Sequence, residues 1–480
     1  MIGRFGASFF FDRGNVSLSD PTALWRTVAF DLARKYPLMA KRLVKNLRDD
    51  KIDPGKPDIE SHFRYLIQDP LSYVWVSTEV GDAGKEEKDA RKGETESSDG
   101  ASLTTEEQLE EGESIMKPPV ILIDALDECG SDDSQSVQRN ILLNTLTYWS
   151  RLHPSIKLVV TSRDERIPPS FASVCDHIVL ETGDLVSSEE NDDIQTFMEC
   201  RFAQIAPRYP SLPPSWPGHP IIKQLTEWAA GLFIWADTTI RYIERGIATE
   251  RLDLILTGHF PEGDRIESLY RQILDTSFKD TKSQICQKFK AVVGAIVLAK
   301  TPLRYVDIMH FTGQRIDHPS IDFILQKLSS VLSTGTPDGC VHVSHVSFTE
   351  FICNSERCHA TFAIHRPTHS GCMALACLRN MNKGLKFNIC RLETSYLRND
   401  GVLDLPSRIE KRIPPYLLYS CRFFAEHLSD STNDNTSLLE EIESFLHTKL
   451  LSWLEVMSLC NQVPEAVTAL HLLTGWLEVS

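Results

Sequence analysis

The 480-residue sequence predicts an α/β fold with a parallel sheet, followed by a mostly helical remainder. Three observations carry that expectation. Val120-Ile121-Leu122-Ile123 runs without a polar break into Asp124-Ala125-Leu126-Asp127-Glu128. Lys157-Leu158-Val159-Val160-Thr161 runs in the same way into Ser162-Arg163. Uninterrupted β-branched runs suit strands covered on both faces, as in a parallel sheet. Residues 135–152 between them have helical periodicity, with Val137, Ile141, Leu142, Leu146 and Trp149 near one face, so the unit reads strand–helix–strand.

A carboxylate ending such a strand stands at the sheet's C-terminal edge, where open α/β folds bind ligands. Asp124 is therefore expected to face a bound nucleotide's metal ion, directly or through water, and Ala125 leaves room beside it. Asp127 and Glu128 follow on the loop, where a carboxylate can orient or deprotonate an attacking water. Thr161 and Arg163 close the next strand, and a guanidinium offers a charged, planar fork to a γ-phosphate. A buried strand followed by an acidic helix cap is the plain structural alternative. The succession strand–DxxDE, helix, strand–TSR favours the nucleotide reading.

VILIDALDEC followed by LVVTSR resembles the NACHT branch of the STAND P-loop ATPases, and more narrowly the fungal NACHT proteins, which often carry C-terminal repeats. The resemblance implies a nucleotide-operated signalling switch. Its expected architecture is a P-loop NTPase sheet, here incomplete, then a small helical domain, a winged helix and a closing helical domain. The implied cofactor is ATP/ADP, or GTP, with Mg. Gly231-Leu232-Phe233-Ile234-Trp235-Ala236 resembles a segment of fungal NACHT helical domains that packs on the adenine side, which implies a contact from Phe233. A helical-core role for Phe233 and Trp235 competes with it. His345-Val346-Ser347-Phe348-Thr349-Glu350-Phe351 resembles the H-x-S-F-x-E-F segment of NACHT-type winged helices, which implies that His345 touches the β-phosphate of ADP. Imidazole suits that role, since it donates a hydrogen bond and can carry charge. A core-edge histidine bonded to backbone is the alternative.

Gly6-Ala7-Ser8-Phe9-Phe10-Phe11 reads as a further strand, and in the resembled family it follows the phosphate-binding loop and precedes a charged turn. No G-x-x-x-x-G-K-[ST] pattern occurs in the sequence. The expectation is therefore a fragment or degenerate copy without that loop, inactive alone as an ATPase or GTPase and possessed of no cofactor of its own. A catalytically inactive interaction scaffold that keeps the fold is the alternative. The family's strand order 5-1-4-3-2 implies strands 2 to 5 at Gly6–Phe11, Val120–Asp124, Lys157–Thr161 and Asp176–Leu180, with strand 1 missing between strands 4 and 5.

The expected segments are 1–80 and 118–206 for the two parts of the nucleotide-binding domain, 81–117 for a disordered acidic insertion, 207–285 for the small helical domain, 286–365 for the winged helix and 366–480 for the closing helical domain. Asp20-Pro21 signals a helix start, and Pro37 breaks that helix before another over 39–47. Further helices are expected around 62–67, 192–205, 221–245, 266–274, 289–299, 321–331, Cys372–Met381, Lys386–Cys390, Ile413–His427 and Leu438–Leu459.

Apolar content of 42% and charged content of 24% are ordinary for a globular chain. The net charge of −16 argues against a general nucleic-acid or membrane-surface binder. Predicted partners are proteins: a second copy, an effector or repeat domains. The twelve cysteines include no C-x-x-C pair, and Met1–Arg13 lacks a long apolar core, so a reduced, cytoplasmic protein is expected. Apolar runs such as 291–299 are too short to span a bilayer. Cys353, Cys358, His359, His365, His369, Cys372 and Cys377 invite a zinc reading, but C-x4-C-H and C-x4-C lie off the usual ligand spacings, and Cys in an apolar helix acts as a small hydrophobe.

Residues 81–115 hold twelve acidic and four basic residues and almost no large apolar one. Such a composition cannot offset chain entropy by burial. Deleting Gly81–Ser114 is expected to leave the melting temperature within about two degrees of the parent, because few contacts are lost. A large drop in a thermal-denaturation scan would show that the segment packs.

Overall fold

A computed structural model describes residues 4–13, 15–75, 117–130, 136–163, 169–179, 186, 188–258, 260–261, 264–279, 283–312, 316–334, 339–394, 396–432 and 436–479. The expected insertion, apart from Lys117, lies outside the described residues. The chain forms two compact units, Met1–Ile178 and Val179–Ser480.

The first unit is built on three parallel strands, β1 (Phe5–Phe10), β2 (Val120–Asp124) and β3 (Lys157–Val160), in the order β1-β2-β3. Ile121 and Ile123 on β2 are fully buried. Phe10 pairs with Asp124 and Ile123 with Val160, so all three strands end at one edge of the sheet. The expected neighbours 2-3-4 are thus adjacent. Gly6 sits at a bulge in β1, where an added Cβ would lie 2.6 Å from the Cβ of Pro119. Only glycine lets β1 and the start of β2 approach so closely.

Helices α1 (Ala23–Lys35) and α2 (Pro37–Arg48) follow β1, and α3 (Ile59–His62) runs on as a π-helix over Phe63–Gln68. Helix α1 begins two residues after the expected Pro21; the Asp20 carboxylate accepts the Thr22 amide at 2.8 Å and its hydroxyl at 2.7 Å. Tyr36, extended, separates α1 from Pro37 at the start of α2, as Pro37 predicts. Helix α4 (Ser136–Thr147) joins β2 to β3. Its buried face is Leu142, Leu143 and Leu146, whereas Val137, expected on that face, is 66% exposed. The helix is continued by a 3-10 turn, Tyr148–Arg151, which brings Trp149 inward.

One expected strand does not form over its described residues. Asp176, His177, Ile178 and Val179 form no strand, and Leu180 lies outside the described residues. Ile178 and Val179 are exposed. A β-rich stretch becomes a strand only when another strand pairs with it, and among the described residues no strand pairs with this one. Among the described residues, β3 has a partner only on its β2 side.

The second unit is mostly helical. Helix α5 (Ser188–Ile205) is followed by α6 (His219–Ala229) and α7 (Phe233–Glu244). The expected continuous helix over 221–245 is broken at Ala230 and Gly231, which have φ of +45° and +79°. Helices α8 (Ala248–Leu256), α9 (Arg265–Phe278) and α10 (Ser283–Leu298) lead into a small antiparallel sheet. Its strands are β4 (Leu303–Arg304), β5 (Leu332–Ser333) and β6 (Cys340–Val343), ordered β4-β6-β5. Helix α11 (His318–Lys327) lies between β4 and β5, and α12 (Val346–Ile352) follows β6.

Helices α13 (Arg366–Gly384), α14 (Leu405–Arg412), α15 (Pro415–Ser429), α16 (Thr436–Thr448), α17 (Leu450–Leu459) and α18 (Val463–Val479) complete the unit. The expected helix over Lys386–Cys390 is a turn instead. Asn388 and Arg391 have φ of +48° and +53°, and the Glu455 carboxylate accepts the amides of Asn388 and Ile389 at 2.9 and 3.1 Å. A glutamate from α17 thus replaces the intrahelical bonds. Lys449 divides the expected helix 438–459 into α16 and α17. No helix of the described residues is long and apolar enough to cross a membrane.

The core of the first unit converges on Trp25. Its indole is fully buried, donates to Thr145 Oγ1 at 2.9 Å, and lies 5.0 Å from the Phe63 ring and 6.1 Å from Trp149. It thereby joins α1, the π-helix and α4. Trp25→Ala is expected to cost about 3–5 kcal/mol in equilibrium denaturant unfolding. A loss under about 1 kcal/mol would mean that the aromatic cluster is not the core of this unit.

Candidate functional site

The candidate groups of the first unit lie where β1, β2 and β3 end. Ala125 turns the chain out of β2 with φ +54°, a left-handed conformation unusual for a residue with a Cβ. The turn is held by Leu126, whose amide donates to the Thr161 carbonyl at 2.9 Å. Asp124 accepts the Thr161 hydroxyl at 2.6 Å, and the Ala125 amide donates to that same Oγ1 at 2.9 Å. The direction follows: Thr161 donates to the carboxylate and accepts from the backbone.

Asp127 is buried, at 4% exposure. Its Oδ1 accepts the Arg163 amide at 3.2 Å, its Oδ2 lies 3.5 Å from Arg163 Nε, and an Arg13 guanidinium nitrogen stands 4.0 Å away. Glu128 is half-buried and accepts the Arg13 amide at 2.9 Å. Burial pushes its carboxyl above the usual range, Asp127 and Asp12 push the same way, and the Arg13 amide and guanidinium pull it down. The structure therefore brings Asp124, Asp127, Glu128, Thr161 and Arg163 together.

Arg13 is the participant that sequence reasoning passed over. Its only sign in the sequence is the charged turn Asp12-Arg13-Gly14 after the phenylalanine-rich strand. Nothing in that turn states that Arg13 meets residues more than a hundred positions later.

Asp124 and Thr161 offer one carboxylate and one hydroxyl, hard oxygen donors of the kind Mg prefers. Among the described residues no group of three or more His, Cys, Asp or Glu is placed to hold a metal ion. The donor pair is of a chemical kind that would suit a Mg ion. Cys353, Cys358, Cys372 and Cys377, the thiols considered for zinc, are all raised by burial, Cys358 and Cys377 to about 12. A metal ligand must be a thiolate, so burial of this kind works against coordination.

The other two candidates lie in the second unit. Phe233 opens α7, is 48% exposed, and sets its ring edge-on against Phe197 at 5.9 Å. Trp235 is fully buried against Phe260 and is a core residue. His345 caps α12: its Nδ1 accepts the Ser347 amide at 3.2 Å and lies 2.7 Å from Ser347 Oγ. Ser347 Oγ in turn lies 2.9 Å from the Tyr270 hydroxyl on α9. A neutral imidazole with Nδ1 as acceptor carries its proton on Nε2.

A family model described as "Nephrocystin 3, N-terminal" matches residues 76–163, a stretch that contains β2, the acidic turn and β3. The vegetative incompatibility protein HET-E-1 of Podospora anserina is 25% identical over 382 residues, 74% of this chain and 26% of its own length. The chain thus spans about a quarter of the curated relative it matches. No solved structure matches it. With the strand–acid and strand–Thr-Ser-Arg segments joined at one sheet edge, these similarities support the resemblance of the chain to fungal NACHT-type proteins.

Proposed function

We propose that the chain is the nucleotide-operated switch module of a NACHT/STAND-type signalling protein. The observation that supports this most is the gathering of Asp124, Asp127, Glu128, Thr161 and Arg163 at one end of three parallel strands. In this reading Asp124 would hold the Mg of bound ATP, ADP or GTP, which would supply positive charge for the phosphates, and Thr161 would contact the nucleotide. Arg163 faces the γ-phosphate, and Glu128, its carboxyl raised by burial, takes the proton of an attacking water. Asp127 holds Arg13 and Arg163 in place. Residues 207–285 form the small helical domain with Phe233 on the adenine side. Residues 286–365 form a winged helix carrying His345, which by resemblance is the histidine that touches the β-phosphate of ADP, and residues 366–480 close the module. The setting is the cytoplasm, the partners are proteins, and the name of the similar HET-E-1 suggests a role in vegetative incompatibility.

A second reading rests on a specific observation. Asp124 is satisfied by Thr161, and Asp127 by Arg163 and Arg13, so the acidic groups answer one another within the fold. The sequence also has no G-x-x-x-x-G-K-[ST] to cradle β- and γ-phosphates. An interaction scaffold that keeps the fold without turnover accounts for both.

Titration calorimetry of the 480-residue chain with Mg and each of ADP, ATP and GTP separates the readings. The switch reading expects measurable binding, weakened by Asp124→Asn, with His345→Ala weakening ADP more than ATP, and no turnover at the rates of complete P-loop enzymes. Absence of any nucleotide binding leaves the scaffold. Clear turnover abolished by Glu128→Gln would overturn the expectation of an inactive chain.

Glu128 also gives a stability test. A carboxyl whose folded pKa is raised binds its proton more tightly in the folded than in the unfolded state. Folding stability therefore increases as pH falls through the folded pKa, and the ionised group is a cost above it. Glu128→Gln keeps the acceptor for the Arg13 amide and removes that charge. The variant is expected to melt higher than the parent at pH 7.5, with the difference vanishing in acid. A lower melting temperature at pH 7.5 would mean that the Glu128 charge itself stabilises the turn.

A further inference from the structure

The loop between α13 and α14 carries apolar side chains that the proposed switch does not use. Phe387 and Tyr396 are 88% and 95% exposed, and Leu403 is wholly exposed. Leu397 is exposed as well, and so is Leu451 on α17. Scattered exposed apolar residues are ordinary, whereas several in one neighbourhood mark an interaction surface. Residues beside them in the chain point inward: Leu385, Ile389, Cys390 and Leu405 are buried. The loop therefore has its own anchors and turns other bulky groups to the outside.

Hydrogen bonds hold it in that form. Lys449 Nζ donates to the Leu385 carbonyl at 2.9 Å, and the Glu455 carboxylate accepts the amides of Asn388 and Ile389. Phe387 thus lies along residues 449–455, the stretch that exposes Leu451. Asn399 Nδ2 donates to the Ser458 carbonyl at 2.9 Å, further along α17. Asn388 closes a turn onto Leu392 through bonds of 2.7 and 2.9 Å. Arg408 on α14 donates to the Arg391 carbonyl and pairs with Glu393 and Asp404. The loop is fastened to α14 on one side and to α17 on the other.

Its charge is opposite to that of the chain. Residues 383–412 hold seven basic and four acidic residues, while the whole chain has a net charge of −16. Among the acids, Glu393 and Asp404 pair with Arg408, and Asp400 lies 3.9 Å from Arg398. Lys383, Lys386, Arg391, Lys411 and Arg412 form no ion pair among the described residues. The acidity that argues against a general membrane-surface binder is carried by other parts of the chain.

We propose that this loop and the start of α17 dock on an anionic bilayer, with Phe387, Tyr396, Leu397, Leu403 and Leu451 in the headgroup layer. Side chains so exposed have no protein wall beside them, so they make a projection and not a groove. A fluid bilayer accepts a projection without a matching pocket. Lysines and arginines beside it are drawn to acidic headgroups. Attachment of this kind lies on a membrane without crossing it, and no helix of the described residues is long and apolar enough to cross one. It is independent of nucleotide binding.

Co-sedimentation of the full 480-residue chain with lipid vesicles tests this surface. The parent is expected to sediment with vesicles of equimolar phosphatidylcholine and phosphatidylserine, and only weakly with phosphatidylcholine alone. High salt is expected to weaken the binding, because the screening length falls from about 10 Å at 0.1 M to about 3 Å at 1 M. Phe387→Ser with Tyr396→Ser is expected to weaken binding about tenfold or more, through lost apolar burial. Lys386→Glu with Arg391→Glu is expected to weaken it by about tenfold or more on the mixed vesicles. Phe30→Ser, at an exposed phenylalanine of the first unit, is expected to change nothing. Exposed substitutions leave the melting temperature close to the parent's; should the serine pair lower it, the charge pair carries the test. No sedimentation with the mixed vesicles, equal binding to both vesicle types, or binding unchanged by either pair would overturn the proposal. So would a parent that self-associates in sedimentation velocity and binds no vesicles, with the serine pair dissociating it: the surface would then belong to a second copy of the chain.

Discussion

A buried carboxylate with partners on two loops fixes the end of the first unit's sheet. Asp127 cannot be left unpaired at 4% exposure, because a desolvated charge without partners costs several kcal/mol, roughly 3–5 when one partner is removed. Its partners come from the loop after β1, through Arg13, and from the end of β3, through Arg163. Parallel strands do not join their own ends; side chains must do so. Asp127 performs that task here, and Glu128 repeats it by accepting the Arg13 amide. The geometry of Asp124 and Thr161 depends on the same arrangement, since the Leu126 amide and the Thr161 carbonyl lock the turn on which Asp127 rides.

This arrangement explains why chemically different acids can stand side by side. Asp124 lies at the strand end with a hydroxyl donor. Asp127 is enclosed by two guanidinium groups. Glu128 has a backbone donor and a burial cost that raises its proton affinity. Three carboxyls within five residues thus have three environments, the condition under which neighbouring acids take distinct roles. The left-handed Ala125 makes this possible, because it turns the chain out of β2 immediately after Asp124. An alanine is the smallest side chain able to carry that conformation with a defined Cβ direction.

In the second unit, aromatic packing and a polar chain meet at α9. Tyr270 is buried against Phe348 and Phe351 of α12, while its hydroxyl reaches Ser347 and through it His345. Burial raises the Tyr270 hydroxyl to about 12, so it remains a neutral donor and acceptor. The orientation of His345 is therefore set by apolar contacts as much as by its own cap. Arg271 and Arg357 meet Glu267 near the same helices, which adds a charged edge to that seam.

Elements whose signal is local are legible in the amino-acid order alone. Val120–Asp124 and Lys157–Val160 are legible as strands because their apolar runs have no helical period and are closed by polar residues. Tyr36-Pro37 marks a helix boundary because proline restricts the residue before it. The acids and Thr161 were legible as site candidates because strand ends are where sheets present polar groups. Tertiary structure decided the rest. Asp176–Val179 has strand-forming residues but joins no strand pair among the described residues, and Lys386–Cys390 has helical residues but an external carboxylate on its amides. Val137 fits a helical stripe and still faces out, because the position of the core around that helix is set by its partners. The role of Arg13 is the clearest case: its meeting with Asp127 and Glu128 requires β1 and β2 to lie side by side, and no periodicity of one hundred residues records that. Local propensity fixes which backbone states are cheap; pairing partners and burial choose among them.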